Sequence, residues 1–318
     1  MLPLAPPFLP QLARSAKSLP EGDGWAYEPK WDGFRAIVFV DGDEVTLQSR
    51  NGKPLTRYFP ELHGLPAGRY VIDGEIVIRD SGGREDFDAL SQRIHPAKSR
   101  IDRLAEETPA RLIAFDLLAR DDEVWIERAL AERRVALTEL IGASPQPPLE
   151  LTPFTLDVDD AQPWLQNAEG VIAKELAAPY LSGERKGMVK IKRVRTSDCV
   201  VKGWRSGKEE GTVGSLILGL YGEDGRLAEV GHSSGFTAKE KRAMVERLAP
   251  YETGERGIGE PSRWKNDKDL EWIILRPELV VEITFDHTSG RRIRHGAKVQ
   301  RWREDKDPRS CTIDQLLS

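Results

Sequence analysis

One short stretch of the sequence combines a lysine, a turn and an arginine. It reads EPKWDGFR over residues 28–35. Asp-Gly pairs favour turns, so the chain can bend there and bring Lys30 and Arg35 to one pocket. A lysine attacks as a nucleophile only when it is neutral, a state that nearby cations or a metal favour. Taken alone, these residues fit an exposed turn as well as a nucleophile.

Three acidic sites and a pair of lysines lie on apolar segments later in the chain: DGE at 73–75, FD at 115–116, EGVIAK at 169–174 and KIK at 190–192. Buried acids are costly unless they are paired or bind a metal. Residues two apart on a strand face the same side, so Lys190 and Lys192 form one cationic face. Each feature alone also fits a turn, a core residue or a solvated face. Together they predict a charged pocket that holds a metal and phosphates.

The segments around these residues predict strands and short helices. A hairpin is predicted over 36–49, because AIVFV and VTLQS flank the turn DGDE. The other predicted elements are a strand pair or a bulged strand over 70–79, a buried strand over 111–119, and helices over 86–95 and 126–141. The first of these helices would have Phe87, Leu90 and Ile94 on one face.

The chain changes character after Pro179. Residues 185–208 contain nine Lys or Arg and one acid, Asp198. Several short strands follow, with one helix near 238–248, which is typical of a small β-barrel. We therefore predict two domains, residues 1–194 and 195–318.

Length and composition support this division. A chain of 318 residues with 39% hydrophobic and 31% charged residues can bury two cores. Its formal net charge of -5 neither favours nor excludes nucleic acid, since binding needs only a local basic face. Two cysteines exclude a disulfide framework and a four-cysteine zinc site. Four prolines in MLPLAPPFLP argue against a signal peptide, and we expect a cytoplasmic monomer that does not contact membranes.

The ordered set KWDGFR, SRNG, DGE, FD, EGVIAK and KIK, with RWREDK at 301–306, resembles the motifs of ATP-dependent DNA ligases. These enzymes are covalent lysyl-nucleotidyltransferases, related to mRNA capping enzymes and RNA ligases. The likeness extends from about Trp25 to Asp307. Two further segments, GHSSGFT at 231–237 and PELVVEITF at 277–285, resemble minimal bacterial ligases of the ligase C type and the ligase domain of bacterial end-joining ligases.

The resemblance implies an α+β fold and a three-step reaction. An adenylation domain with ATP-grasp-like antiparallel sheets and helices would precede a C-terminal OB-fold β-barrel. The enzyme would take AMP from ATP, pass it to a 5′-phosphate, and join that phosphate to a 3′-hydroxyl. Duplex DNA with a nick would be the substrate, and ATP with Mg²⁺ or Mn²⁺ the cofactors.

The resemblance also implies roles for individual residues in the adenylation domain. Lys30 would attack the α-phosphate, Glu28 would accept from the adenine amino group, and Phe115 would stack on adenine. The remaining residues would contact the ribose, the phosphates or the metal. They are Arg35, Arg50 and Glu75 for ribose and phosphate, Glu75 and Glu169 for the metal, and Lys190, Lys192 and Arg185 for phosphate.

The C-terminal motif implies a second group of residues. Arg303, Asp305 and Lys306 match its R-x-D-K pattern and would orient the pyrophosphate leaving group. One departure from the family lies just before KIK at 190–192, where Met188 stands at a position that is often tryptophan. Arg185 is one residue closer to that motif than the family's arginine.

Duplex DNA would have to contact the two domains themselves. The basic stretch 185–208 and a cluster at 291–298 are the candidate surfaces, although the second fits a solvated face equally well. The resemblance suggests a repair role, with a primase-polymerase or Ku as partner, and the residues alone show neither. Two alternatives are an RNA-directed nucleotidyltransferase of the RNA ligase or capping type, and an inactive OB-fold protein that binds nucleic acid.

Overall fold

This computed structural model describes residues 1–142, 147–258, 271–286, 288–294 and 296–316. The chain forms two compact units, Met1–Arg193 and Val194–Ser318. Each unit has its own buried apolar core, and the first unit holds two β-sheets.

The larger sheet of the first unit has six strands. The predicted hairpin is confirmed, because β3 and β4 pair in antiparallel register from Ala36 with Ser49 to Asp41 with Glu44. The predicted bulge in β5 is also confirmed by a register shift against β6 between Asp73 and Gly74. The strands are β3 (Phe34–Gly42), β4 (Glu44–Ser49), β5 (Gly68–Val77), β6 (Arg111–Arg120), β7 (Glu123–Val124) and β8 (Leu149–Leu151).

The smaller sheet has the strand order β1-β10-β9-β2, in which β1 is parallel to β10 and the other pairs are antiparallel. It contains β1 (Arg14–Ser15), β2 (Trp25–Pro29), β9 (Gly170–Glu175) and β10 (Met188–Lys192). Gly170 has a φ of +137°, and a Cβ at this position would overlap the carbonyl oxygen of Ile191. Glycine therefore lets β9 approach β10 closely at the point where Glu169 leads into the sheet.

The helices of the first unit correct several predictions. They are α1 (Phe87–Gln92), α2 (Lys98–Glu107), α3 (Leu130–Ile141), α4 (Val158–Ala161) and α5 (Trp164–Asn167). The helix predicted from residue 126 begins only at Leu130, because Ala129 has extended backbone with a ψ of 146°. Ile94 was predicted on the face of the first helix, but it lies beyond that helix and is 46% exposed. No prediction covered α2, of whose residues only Ile101 is buried.

The second unit is mainly antiparallel sheet, and its one described α-helix follows the predicted bounds. The strands are β11 (Arg195–Ser206), β12 (Val213–Tyr221), β13 (Leu227–Ser233), β14 (Glu252–Ile258), β15 (Glu271–Leu275), β16 (Val280–Phe285), β17 (Thr288–Ser289), β18 (Arg292–Ile293) and β19 (Lys298–Trp302), with α6 (Ala238–Leu248) after β13. In the described residues, β11 pairs with β12, β15 and β16, and β16 continues to β19. An isolated bridge joins Ser233 of the edge strand β13 to Ala297, which directly precedes the edge strand β19. No described ladder closes the predicted barrel completely.

Candidate active site

A pocket of about 510 Å³ lies between the two sheets of the first unit. This volume is within the range of small-molecule binding sites. Its walls come from β2, β9 and β10 on one side and from β3, β5 and β6 on the other. Eight of the residues predicted from the sequence line this pocket together: Glu28, Lys30, Arg35, Arg50, Glu75, Phe115, Arg185 and Lys190.

Lys30 is fixed by the junction of β2 and β9. It directly follows β2, and its backbone N–H donates to the carbonyl oxygen of Gly170 at 2.9 Å. Its Nζ lies 3.1 Å from Oε2 of Glu169, and both side chains are mostly buried. The close approach allowed by Gly170 thus places a lysine beside a carboxylate that can accept its proton.

Glu75 faces the same region from β5. Burial raises the pKa of the Glu75 carboxyl to about 7, although Arg35 and Lys30 act in the opposite direction. Glu85 is a further acid, whose Oε2 accepts from the backbone N–H of Asp32 at 3.1 Å. Burial also raises the pKa of Glu85, and the charges of Asp32 and Glu169 add to the effect.

The carboxylates near Lys30 do not form a metal site by themselves. Among the described residues, no three His, Cys, Asp or Glu side chains group closely enough to hold a metal by themselves. Mg²⁺ in nucleotide enzymes is usually bound by one or two carboxylates together with substrate phosphates. Glu75 and Glu169, which both act on Lys30 electrostatically, fit that kind of shared site and not an all-protein cage.

Arg35 and Phe115 form the floor of the pocket. The Arg35 guanidinium lies 4.5 Å from the centre of the Phe115 ring, and two of its nitrogens are 2.6 Å from the Asp73 carboxylate. Asp73 is fully buried, and Tyr180 donates its hydroxyl hydrogen to Asp73 Oδ2 at 2.5 Å. A buried, bidentate ion pair holds an arginine in one orientation, so Asp73 and Tyr180 fix the cation above the aromatic ring.

The N-terminal segment forms a further wall. Leu9, Pro10, Leu12 and Ala13 line the pocket. Gln11 is buried and links this segment to the rest of the site: its N–H donates to the Tyr180 hydroxyl at 3.0 Å, and its Nε2 donates to the carbonyl oxygen of Lys186 at 2.5 Å. The Gln11 carbonyl oxygen accepts from Arg35 Nη2 at 3.3 Å.

Glu28 reaches the pocket from β2 and is almost fully buried between two cations. Its Oε2 lies 2.7 Å from Lys174 Nζ, and its Oε1 lies 3.6 Å from Arg134 Nη1. Burial raises the pKa of Glu28, whereas the charges of Lys174 and Arg134 lower it. Oε1 accepts no hydrogen bond from the described residues. The site therefore contains a buried acceptor atom with unused capacity.

The opposite part of the pocket is cationic. Arg50, Arg185 and Lys190 form no salt bridge with the residues that the structure describes. Burial lowers the pKa of Lys190, and the neighbouring cations Lys192, Lys30, Arg185 and Arg50 lower it further. Cations that repel each other at a pocket wall are suited to a polyanion such as a nucleotide's phosphates. Lys192, two residues along β10, acts on this group although it does not line the pocket.

The predicted C-terminal group lies in the second unit. Arg303 forms a bidentate pair with Asp305 at 2.9–3.0 Å, and its Nη1 is also 3.0 Å from Asp198. Lys306 Nζ lies 3.3 Å from the second oxygen of Asp198. Asp198, the single acid of the basic stretch, therefore contacts both cations of this group.

Sequence reasoning missed several residues that build the first-unit site. Lys174 was part of the quoted motif EGVIAK but received no role. Its signal was a lysine at a strand position that alternates with buried apolar residues. Asp73 was also quoted without a role. Gln11, Tyr180 and Arg134 gave no local signal, since their contacts join residues far apart in the chain.

A pocket between two sheets of this fold, with a lysine beside a carboxylate, a buried acceptor and cations that form no salt bridge with the described residues, is typical of a nucleotidyltransferase. The family model of the ATP dependent DNA ligase domain matches residues 7–192, and that of the ATP dependent DNA ligase C terminal region matches residues 209–306. The chain belongs to the ATP-dependent DNA ligases.

Individual relatives agree with this assignment. DNA ligase C1 of Mycolicibacterium smegmatis is 47% identical over 99% of this chain and 95% of its own length. The multifunctional non-homologous end joining protein LigD of Pseudomonas aeruginosa is 31% identical over 95% of this chain and 36% of its own length. The solved structure of a mycobacterial DNA ligase D complexed with ATP and MES covers 96% of this chain and 98% of that one, with 29% identity and a TM-score of 0.54.

Within the described residues, no helix is long and apolar enough to cross a lipid bilayer.

Proposed function

We propose that this DNA ligase seals nicks between a 3′-hydroxyl and a 5′-phosphate in duplex DNA through a lysyl-AMP intermediate on Lys30. The observation that carries the proposal is the position of Lys30, whose Nζ lies 3.1 Å from Glu169 in a pocket whose far wall is cationic. Phosphoryl transfer depends mainly on positioning and on neutralising charge. The carboxylate beside this lysine and the cations across the pocket support the proposal on both counts.

In the first step, Lys30 gives up a proton to solvent, and its neutral nitrogen attacks the α-phosphorus of ATP. A P–N bond forms, the bond from the α-phosphorus to the bridging oxygen breaks, and pyrophosphate leaves with the electron pair. Lys190, Arg50 and Arg185 bind the phosphates. Adenine stacks on Phe115 and donates its amino hydrogen to Glu28 Oε1, while Arg35 contacts the ribose.

Glu75 and Glu169 would hold a divalent metal together with the phosphates. When bound, Mg²⁺ or Mn²⁺ supplies neutralisation of the charge on the α-phosphate. The pyrophosphate is oriented by Arg303, Asp305 and Lys306 of the second unit.

In the second step, a 5′-phosphate oxygen attacks the AMP phosphorus, the P–N bond breaks, and the Lys30 amine takes up a proton as it leaves. In the third step, the 3′-hydroxyl attacks the 5′-phosphorus and loses its proton to solvent, while the bond from that phosphorus to the AMP oxygen breaks and AMP leaves. We assign these steps to DNA repair, because a relative that matches 95% of this chain is a non-homologous end joining protein. A Ku protein or a primase-polymerase is the proposed partner, tested by adding each to a ligation reaction on broken or gapped duplexes.

The deciding experiment is intact-protein mass spectrometry after incubation with ATP and Mg²⁺. We expect one AMP adduct, labile to acid as phosphoramidates are, on Lys30. Lys30→Ala should abolish the adduct, and so should Lys30→Arg, because arginine does not deprotonate in proteins. An adduct that survives either change would overturn the assignment of the nucleophile. Guanylylation by GTP at the rate seen with ATP would favour a capping-type enzyme.

A further inference from the structure

The buried contacts of Glu28 include a residue with no part in the reaction described above. Arg134 lies on α3, outside the pocket, with its side chain 11% exposed. Its Nη2 donates to the carbonyl oxygen of Thr152 at 2.7 Å, and its guanidinium lies 4.6 Å from the centre of the Phe154 ring. Its Nη1 is buried and makes no hydrogen bond with the described residues, but lies 3.6 Å from Glu28 Oε1.

Such an arginine is costly where it lies. Burial lowers the pKa of Arg134, whereas the charges of Glu28 and Asp116 raise it. A guanidinium has five donors, and a buried donor without an acceptor is unfavourable. The contacts with Thr152 and Phe154 hold the side chain in place but leave Nη1 without a hydrogen bond from the described residues. That nitrogen lies 3.6 Å from Glu28 Oε1, so the charge of Arg134 acts on the Glu28 carboxylate.

The two cations beside Glu28 contact different oxygens. Lys174 lies against Oε2 at 2.7 Å and also donates to the carbonyl oxygen of Phe115 at 3.2 Å, so it occupies one oxygen with a strong hydrogen bond. Arg134 is near Oε1 but too far to form a hydrogen bond with it. This division stabilises the negative charge of the carboxylate and keeps Oε1 able to accept a hydrogen from a base.

We propose that Arg134 is a positioning residue that determines base specificity, because it keeps the Glu28 carboxylate ionised and Oε1 available to the adenine amino group. The inference rests on the proposed contact between Glu28 and adenine. An ionised acceptor attracts the amino group of adenine and repels the carbonyl oxygen of guanine. A protonated Glu28 could donate to that oxygen, so loss of Arg134 should weaken the preference for ATP over GTP.

Three charged groups face Glu28: Lys174 from β9, Arg134 from α3 and Asp116 from β6. Removal of Arg134 leaves Lys174 alone against burial and Asp116, so the pKa of Glu28 should rise. An opposite charge at this distance lowers a carboxyl pKa, so its removal has the opposite effect. The acid limb of ATP-dependent adenylylation should therefore move to higher pH in the variant, and GTP labelling should increase most at the acid end.

The test measures single-turnover labelling of the full chain by ATP and by GTP from pH 6 to 8. The variants are Arg134→Met, Arg134→Gln, Glu28→Gln and the double variant Arg134→Met with Glu28→Gln. Arg128→Met is the matched control, because Arg128 also forms one ion pair, with Glu123 at 2.9 Å, and stacks on Trp125, but does not contact Glu28. Should Arg134→Met fail to fold by circular dichroism, Arg134→Gln decides, since it retains a donor for Thr152.

We expect Arg134→Met and Arg134→Gln to lower the ratio of the ATP labelling rate to the GTP labelling rate by on the order of tenfold. Arg128→Met should keep the wild-type ratio. The double variant should match Glu28→Gln, because Arg134 acts through Glu28. Equal slowing with ATP and GTP in both Arg134 variants, at an unchanged ratio, overturns the inference. A wild-type ratio in Glu28→Gln would instead overturn the proposed adenine contact, and a surviving adduct in Lys30→Ala the proposed nucleophile.

Discussion

The pocket cations of the first unit and the arginine–lysine pair of the second unit differ in what surrounds them. Arg50, Arg185 and Lys190 lie at the pocket wall without a salt bridge to the described residues, and their mutual repulsion contributes to the lowered pKa of Lys190. Arg303 and Lys306 lie 3.0 and 3.3 Å from the same acid, Asp198. Charges without a protein partner favour binding of an anion, whereas charges with one are held in a fixed position. The first group should thus matter mainly for activity, and the second for both activity and folding.

The largest expected effect comes from removing a pocket cation. Lys190→Met should slow adenylylation by about 100- to 1000-fold, because a preorganised cation next to developing phosphate charge is worth that much. Single-turnover labelling with ATP is the measurement. Lys186→Met is the control, since Lys186 is exposed and pairs with Glu184 at 2.8 Å. Equal losses in the two variants would show that the pocket cations act only through general charge.

A smaller and more selective loss is expected from the second unit. Arg303→Ala should slow adenylylation by about 100-fold, because pyrophosphate is a charged leaving group. Sealing of a nick that already carries AMP releases no pyrophosphate, so it should change by less than about threefold. Lys306→Ala should show the same split. If Arg303→Ala slows both reactions equally, the cluster has a structural role alone.

The second-unit group should contribute more to stability than the pocket cations, the reverse of their order in activity. Asp198→Asn removes the acid between Arg303 and Lys306 and should lower the free energy of unfolding by about 1–3 kcal/mol. Lys190→Met removes a cation that burial and like charges already disfavour, so stability should stay constant or rise. Urea unfolding of the full chain, followed by circular dichroism, measures both. A larger destabilisation in Lys190→Met than in Asp198→Asn contradicts the comparison.

The smallest expected effect concerns pH. The pKa of Lys190 is lowered by burial and by neighbouring cations, so this lysine loses its charge at a lower pH than an exposed one. Non-covalent ATP binding, measured in the Lys30→Ala background, should therefore weaken as the solution becomes alkaline. Lys190→Arg keeps its charge at high pH and should flatten this decline. If the normalised curves of ATP binding against pH superimpose with and without Lys190→Arg, the decline belongs to another group.

The sequence predicted those parts of the fold that local chemistry determines. The hairpin over 36–49 has a turn and two alternating strands close together in sequence, and α6 begins at a capping box formed by Thr237 and Glu240. Helix α2 is polar over most of its length and only Ile101 is buried, so it has little apolar surface by which the sequence would reveal a core-facing helix. The beginning of α3 depends on the backbone of Ala129, for which residue type gives no signal.

Sequence motifs predicted part of the candidate site, but the residues that reach it from distant segments of the chain were missed. Eight of the residues predicted for the first-unit site line one pocket, whereas Lys192 and Glu169 do not, and the roles of all of them stay predictions. The contact of Arg35 with Asp73 joins two quoted motifs, yet nothing in either motif shows that they share a salt bridge. Arg134 and Tyr180 lie on segments whose packing against the pocket depends on the whole fold, and no local pattern distinguishes them from ordinary core or surface residues.

The hydrogen bonds of Gln11 have a consequence for how the enzyme is made. Gln11 contacts Tyr180 and Lys186, which lie 169 and 175 residues further along the chain. At about 5–20 residues per second, the ribosome needs roughly 9–35 s between synthesising the two sides of this wall. During that time the apolar segment around Leu9 lacks the later part of the chain against which it packs in the folded protein. The growing chain can therefore complete this pocket only late in translation of the first unit, and until then its N-terminal segment is exposed to chaperones and proteases.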